Sequence, residues 1–462
     1  MAGKTEATRD YTETLGKMLD ATRARSGRDD WLPALVMMAI RAISDRAHPA
    51  NWEQHFAHQR NNDRWDPRHR LYVALDPVGD YDAIERLVNL IFSVDEPTRI
   101  AWLDLVSQLD IGQDHTAHQI FAKWFNDRLN DPEAWHRRSA EGFGVVVPTD
   151  LSELMASLAA VKPQMCVLDP ACGTGGFLAA AATSIKKQGY SRREINIELH
   201  GVDRDADALA IGQLRLFLLD VPFQGRIMDS DARQRYFIEQ TADIILSAPP
   251  SGLIYERYEL GLSKKWESFS YRLSAEAAIT MLALDRLTPQ GRAALLIPKG
   301  LLFRGGDDAK LRRVMVEEGA VSAVINLPAG ILAPLTYVET AILVLRKPHR
   351  RSDASVIMVD AVDAGRRERR RAILTEQDRD AILKAVMKGE PDHSTIYTSS
   401  VTMEVIRNAD FDLRPERYLP RKVFAETRSL EERREAVYGL EDKYRQLAME
   451  TDELITRLMN RC

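Results

Sequence analysis

The chain has 462 residues, 45% of them hydrophobic and 28% charged, and a formal net charge of −5. That length calls for two to three folded regions of a globular protein. The acidic balance excludes a freely basic nucleic-acid binder, so any DNA contact has to come from local patches or from a partner.

The start, Met-Ala-Gly-Lys-Thr, has no apolar signal core, and no run reaches membrane length. Residues 1–135 read as helical. Residues 31–43 carry a helical apolar face, and 83–94 and 118–129 are further helices. Trp65, Trp102 and Trp124 fall among charged stretches. They read as an ordinary helical core. His48, His55, His58, His69, His115, His118 and His136 form no ligand pattern. After residues 142–148, Thr149 or Asp150 is placed to cap a helix over 151–160.

Residues 165–168 are a short apolar strand closed by an acid, and the run Asp169-Pro170-Ala171-Cys172-Gly173-Thr174-Gly175-Gly176-Phe177-Leu178 follows. Strand, glycine turn and small-residue helix make the first unit of a doubly wound α/β sheet. The glycines let the backbone bend and lie against a ligand, and the helix start favours an anionic group. The next strand, 195–202, ends at Asp203, where a carboxylate can hold both ribose hydroxyls of a nucleoside. Asp203 as a cap for the helix 206–219 is the alternative. A strand over 224–228 ends in Asp229-Ser230, either a ligand-binding acid or a solvated turn. A fourth strand, 243–246, runs into Ser247-Ala248-Pro249-Pro250-Ser251.

Beyond it, 277–287, 309–318 and 376–387 read as helices and 288–292 as a Pro/Gly turn. The apolar runs 293–298, 320–327 and 338–345 suit inner strands covered on both faces. The basic run 366–371 is a phosphate contact or a solvated loop. Over 430–459, Val437, Leu440, Tyr444, Leu447, Leu454 and Leu458 form a coiled-coil-like seam. It packs either on the chain's own core or on a partner helix. Cys166, Cys172 and Cys462 show no metal-ligand spacing and fit reduced cytoplasmic thiols, and no metal site is expected.

The run DPACGTGGFL, with Asp203 behind it, resembles the S-adenosylmethionine motif of N6-adenine DNA methyltransferases. It is most similar to the modification subunit of type I restriction–modification systems, from about residue 142 to 418. The resemblance implies an α/β fold of the class I S-adenosylmethionine-dependent methyltransferase type. Such a fold has a Rossmann-like seven-stranded sheet (136–427), a helical N-terminal domain (1–135) and a C-terminal helix (428–462). It implies S-adenosyl-L-methionine as cofactor, held by Asp169, Ala171, Gly173, Thr174, Gly175, Phe177 and Asp203. Asp229 takes the place of the family's acid at the cofactor adenine, and Pro148 and Thr149 stand where an aromatic–Thr–Pro segment lines its methionine end. Double-stranded DNA, a specificity-type subunit contacted through the C-terminal helix, and a nuclease or translocase subunit are the implied partners. The setting is a cytoplasmic restriction or phage-defence complex.

One motif departs from the pattern. The family places Asn-Pro-Pro-aromatic after the fourth strand, and this chain has Ala248-Pro249-Pro250-Ser251. The N6 amine of adenine is a poor nucleophile because its lone pair is delocalised into the ring. In the family, the Asn oxygen and the first Pro carbonyl accept its hydrogens, and the aromatic stacks on the flipped base. Ala248 has no acceptor and Ser251 no π face. Tyr255, Trp266 and Phe269 are candidates to restore stacking, while Ser247, one residue early on the strand, points elsewhere. Two functional readings follow: an adenine-N6 methyltransferase modification subunit, or a subunit that keeps cofactor and DNA binding with impaired chemistry. A deliberate Asn-to-Ala replacement is a third reading, against which Ser251 speaks.

Overall fold

The computed structural model describes residues 2–26, 31–47, 67–109, 111, 115–136, 146–190, 196–221, 224–227, 241–347, 355–369, 371–389, 395–419 and 445. Residues 1–419 form one compact unit and 420–462 a second. The seam over 430–459, Trp65 and Asp229 lie outside the described residues.

Continuous apolar runs become the inner strands. β1 (Cys166–Asp169), β2 (Glu198–Asp203), β3 (Gln224–Ile227) and β4 (Ala242–Ser247) form the parallel half of the main sheet. A small hairpin, β5 (Ile254–Glu256) and β6 (Arg272–Ser274), leaves it, and β7 (Leu287–Pro298) returns beside β4. β8 (Val321–Asn326) and β9 (Thr340–Arg346) follow, with β9 antiparallel to both β7 and β8. β10 (Ser355–Asp360) adds parallel to β8. β11 (Arg366–Glu368) and β12 (Arg371–Ile373) make a second hairpin. β13 (Tyr397–Thr402) closes the edge antiparallel to β10. The order across the sheet is β13-β10-β8-β9-β7-β4-β1-β2-β3.

The expected seven strands are therefore present within a nine-stranded sheet. β10 and β13 were not foreseen: β13 is a mostly polar run with Val401 as its one apolar residue besides Tyr397, and β10, although apolar, is not among the expected strands. The turn expected at 288–292 is a bulge within β7: Leu287 pairs with Ala242, and the ladder resumes only with Arg292 opposite Ile244.

The N-terminal region holds seven helices among the described residues: α1 (Ala2–Ser26), α2 (Trp31–Ala47), α3 (Pro67–Leu75), α4 (Tyr81–Phe92), α5 (Glu96–Ser107), α6 (His115–Leu129) and α7 (Pro132–His136). Asp80 and Asp95 cap α4 and α5 by accepting from the third residue onward. Trp102 is fully buried and donates to the Met18 carbonyl, so it belongs to the helical core. α8 (Thr149–Leu158), α9 (Gly176–Lys187) and α13 (Glu376–Lys388) cover one face of the sheet, and α11 (Ala275–Arg286) and α12 (Asp307–Glu317) the other. Alternation along the strands decides which face each side chain joins. Val167 packs with the first group and Leu168 with the second. α14 (Met403–Asn408) completes the set.

α10 (Ala206–Leu218) is buried on two sides. Leu209 and Leu216 pack towards the sheet, and Ala210, Ile211, Leu214 and Leu218 join the core of the N-terminal helices. The N-terminal helices are thus sealed onto the sheet through one shared helix. No helix among the described residues is long and apolar enough to cross a membrane.

Candidate functional site

β1 and β4 lie side by side, and the chain leaves them towards opposite edges of the sheet. Ligands of open α/β sheets bind outside the carboxyl ends at such a switch point. There the structure has a cleft of about 270 Å³, to which the ends of β1, β2 and β4 contribute Asp169, Asp203 and Ala248.

The loop after β1 is held from several sides. Cys172 N–H donates to the Val202 carbonyl (2.9 Å), Gly175 N–H to the Cys172 carbonyl (2.8 Å), and Gly173 N–H to Asp203 Oδ2 (2.7 Å). Gly175 adopts φ +75° at the start of α9, a conformation that a side chain would strain. α10 approaches the loop so closely that a Cβ on Gly212 would lie 3.3 Å from the Thr174 carbonyl carbon.

Asp203 holds this loop rather than capping α10. Its Oδ1 accepts from Asp205 N–H (2.9 Å), and it is Asp205 that caps α10 through Asp207 and Ala208. Asp169 is 1% exposed. Its Oδ1 accepts from Ala171 N–H (3.1 Å) and Ser247 Oγ (2.9 Å), while Oδ2 has no hydrogen-bond partner among the described residues. Burial pushes Asp169 up to about 7, against the pull of those two bonds, and the nearby Asp203 adds to the rise. Burial raises Asp203 as well. Two carboxyls that resist ionisation alone in one cleft suit a cationic ligand.

Ala248 and Pro250 line the cleft, together with Leu253 and Tyr255. Pro249 is buried behind them, and Ser251 is exposed and outside the lining. Ser247 does point elsewhere than Ala248: its hydroxyl is engaged by Asp169. Of the three aromatics proposed for stacking, only Tyr255 reaches the cleft, and the Arg204 guanidinium lies 4.5 Å from its ring centre. Trp266 and Phe269 meet each other in the core, edge to face at 5.5 Å.

Of the residues that the sequence singles out, Ala171, Gly173, Thr174 and Phe177 line the cleft. Gly175 lies beneath the loop against Gly212. Pro148 and Thr149 are not among the lining residues; Val146 and Val147 are. Thr149 accepts from Asn130 Nδ2 (3.2 Å) and donates to Asp127 Oδ1 (3.1 Å), and Asp150 accepts from Leu374 N–H and Arg371. With both side chains engaged in tertiary contacts, α8 begins at Thr149 without a side-chain cap, contrary to the expectation from the sequence.

Sequence reasoning missed the contribution from the N-terminal helices. Asn130 and Trp135 line the cleft. Arg215 of α10, fully buried, donates to the Thr174 carbonyl (3.0 Å), to Asn126 Oδ1 (2.9 Å) and to Asn130 Oδ1 (2.5 Å). It clamps the end of α6 to the glycine loop. Burial brings its pKa down to about 9, which still leaves it charged. An arginine amid leucines on a helix gives no signal of this in the sequence.

A larger groove of about 1310 Å³ runs along α6, away from the strand ends. Several of its cations face acids: Arg46 pairs with Asp220, Lys123 with Asp127, Arg128 with Asp131 and Lys187 with Glu153. The basic run is likewise partly neutralised, with Arg366 on Glu368 and Arg371 on Asp150.

Comparison with known proteins bears on the family and the fold. A family model described as N-6 DNA Methylase matches residues 136–427, well over half of the chain. The methylase subunit of the type I restriction enzyme EcoEI from Escherichia coli is 27% identical over 252 residues, 53% of this chain and 50% of that protein. The MpnII methylase subunit from Mycoplasma pneumoniae is 22% identical over 326 residues, 67% of this chain and 59% of that protein. The chain therefore spans about half to three fifths of the length of these relatives. Among solved structures, a type I restriction–modification methyltransferase subunit from Streptococcus thermophilus superposes with a TM-score of 0.67 at 18% identity, covering 90% of this chain and all of that one. A modification subunit of a type I restriction enzyme from Vibrio vulnificus gives 0.62 at 17% identity, covering 85% and 92%. At such identities the likeness is one of fold.

Proposed function

The chain belongs to the N-6 DNA methylase family, and from that premise we propose that it is a type I modification subunit that binds S-adenosylmethionine and double-stranded DNA, with slowed methyl transfer. The observation that carries the cofactor assignment is Asp169: a buried carboxyl at the end of β1 with one oxygen unpartnered, in a cleft shared with Asp203 and the glycine loop. The residues fit the group. A cationic methionine end would satisfy Asp169 Oδ2, and Asp203 keeps lone pairs beyond the two it gives to backbone amides. Gly173 leaves open space where a side chain would stand. When bound, S-adenosylmethionine supplies a methyl group activated on a sulfonium.

The rest of the chemistry falls to the tetrapeptide after β4. The Pro249 carbonyl remains as one acceptor for the target amine. Ala248, which lines the cleft, supplies no second one, and Ser247 is held by Asp169 and does not replace it. Loss of one preorganised group of this kind costs ~10²–10³ in rate. Ser251 offers no stacking surface, and of the aromatics that line the cleft, Tyr255 is already covered by Arg204, while Trp135 and Phe177 are buried in the hydrophobic core. This favours the reading in which cofactor and DNA are held while methylation is slow.

A specificity-type subunit contacted through residues 428–462 and a nuclease or translocase subunit are the partners we assign, in a cytoplasmic complex. Support comes from the family and from the coiled-coil-like seam in the sequence. A tritiated-methyl assay on adenine-containing duplex DNA with the assembled complex tests the catalytic reading. The chain as given should transfer at least ~10²-fold more slowly than Ala248→Asn or the Ala248→Asn, Ser251→Phe double replacement. Rapid N6-methyladenine formation by the unaltered chain would overturn it. Calorimetry with S-adenosylmethionine tests the binding reading separately.

A further inference from the structure

We propose that Cys166, Glu198 and His200 form a binding site for a zinc-class divalent cation, at the end of the β1–β2 pair opposite the cleft. β1 and β2 run parallel with Cys166 opposite Glu198 and Leu168 opposite His200. Opposed residues share a face of the sheet, as do residues two apart on one strand, so the three side chains project together. The Cys166 sulfur, a Glu198 carboxylate oxygen and a His200 ring nitrogen all lie within 4.8 Å of one another. His200 Nε2 is 3.6 Å from Glu198 Oε2.

Ligands around a tetrahedral zinc sit ~3.5 Å apart, given metal–ligand distances of ~2.0–2.3 Å. The trio needs a contraction of roughly 1 Å, within reach of side-chain rotation on strands that are already paired. The burial is graded. His200 is 4% exposed, Cys166 is half-buried and Glu198 is exposed, so an ion enters along the carboxylate and is held against the imidazole.

The donor set selects the metal. Thiolate, imidazole and carboxylate together match zinc, whereas magnesium and calcium require oxygen ligands throughout. Three protein ligands leave a fourth position for water. On binding, the Cys166 thiol gives its proton to solvent. Sequence spacing hides the site, because Cys166 lies far from the other two along the chain and only the parallel ladder joins them.

The same strands carry Asp169 and Asp203 at their other ends. Cys166 and Asp169 are the first and last residues of β1, ~10 Å apart at strand rise. A bound ion would tie together the amino ends of the two strands that present the cleft acids. The assignment does not depend on methyl transfer.

The plain alternative is a His–Glu ion pair beside an unligated thiol, and cobalt distinguishes the two. The full-length chain, stripped of metal, is titrated with Co²⁺. A thiolate-to-cobalt charge-transfer band should saturate at one equivalent and disappear as Zn²⁺ displaces the probe. Zn²⁺ should raise the unfolding temperature, and a chelator should reverse the rise. Cys166→Ala should abolish the band, and Cys172→Ala and Cys462→Ala should keep it. Glu198→Gln, an exposed substitution that spares the fold, should weaken Co²⁺ binding at least ~10-fold. Absence of the band in excess Co²⁺, its survival in Cys166→Ala, or unaltered affinity in Glu198→Gln would overturn the proposal.

Discussion

Asp169 has one carboxylate oxygen engaged by Ala171 and Ser247 and the other unpartnered, and burial raises its pKa to about 7. A carboxyl raised on folding takes up a proton as the chain folds. Its stabilising contribution is complete at low pH and is lost as pH rises from the ordinary carboxylate range through about 7. The affinity of a cationic ligand for this group runs the other way, rising ~10-fold per pH unit until Asp169 ionises. Asp169→Asn should therefore stabilise the ligand-free chain relative to the unaltered one above pH 7, seen in paired thermal melts, and flatten the pH dependence of cofactor affinity in calorimetry. The Ser247 hydroxyl favours the ionised form. Ser247→Ala should accordingly move the midpoint of that pH dependence upward; a downward shift would contradict the hydrogen-bond assignment. The two acids and the glycines are legible in the sequence, because each closes an apolar strand or bends the turn after it. What Asp203 does is not legible: whether it caps a helix or holds the glycine loop depends on where the neighbouring loop comes to lie.

At the scale of elements, α10 joins two cores and carries the clamp. Removing Arg215 leaves the Asn130 side-chain oxygen without its donor in a buried place, and the Thr174 carbonyl and the Asn126 side-chain oxygen without theirs in half-buried ones. Each such loss costs about 1–3 kcal/mol. Arg215→Met should lower the unfolding temperature by several degrees and speed hydrogen exchange in α6 and in the loop 170–175 together. Exchange confined to α10 would show that the clamp does not couple them. Gly212→Ala should press on Thr174 and weaken cofactor binding while the chain stays folded, as measured by calorimetry beside circular dichroism. The inner strands were legible because both faces are buried and their runs are apolar. The mostly polar β13 was not, and neither was the bulge in β7, since a Pro/Gly segment reads as a turn whether or not the strand resumes on the same ladder; β10 carries the apolar signal and was overlooked. α13 begins a residue after Thr375, where Thr375 and Asp378 cap each other, a signal that the sequence carries openly.

For the whole molecule, the shared helix sets what can be removed. Residues 1–419 form one compact unit in which Ala210, Ile211, Leu214 and Leu218 pack into the N-terminal helical core. A fragment beginning at residue 136 bares that face and strips Arg215 of its α6 partners. It should aggregate or show only non-cooperative melting, whereas deletion of 428–462 should leave a cooperative transition and abolish assembly with a specificity-type partner. A folded, monomeric 136–419 fragment would show that the helical region is dispensable to the core.

That shared helix also bears on inheritance. A recombination event near residue 135 would separate α10 from half of the core that it was selected to fit, so the N-terminal helices and the sheet are bound to descend together. An event near residue 420 severs no such packing within residues 1–419. The cleft, too, lies wholly on one side of such a break, within residues 1–419, and would pass on in one piece.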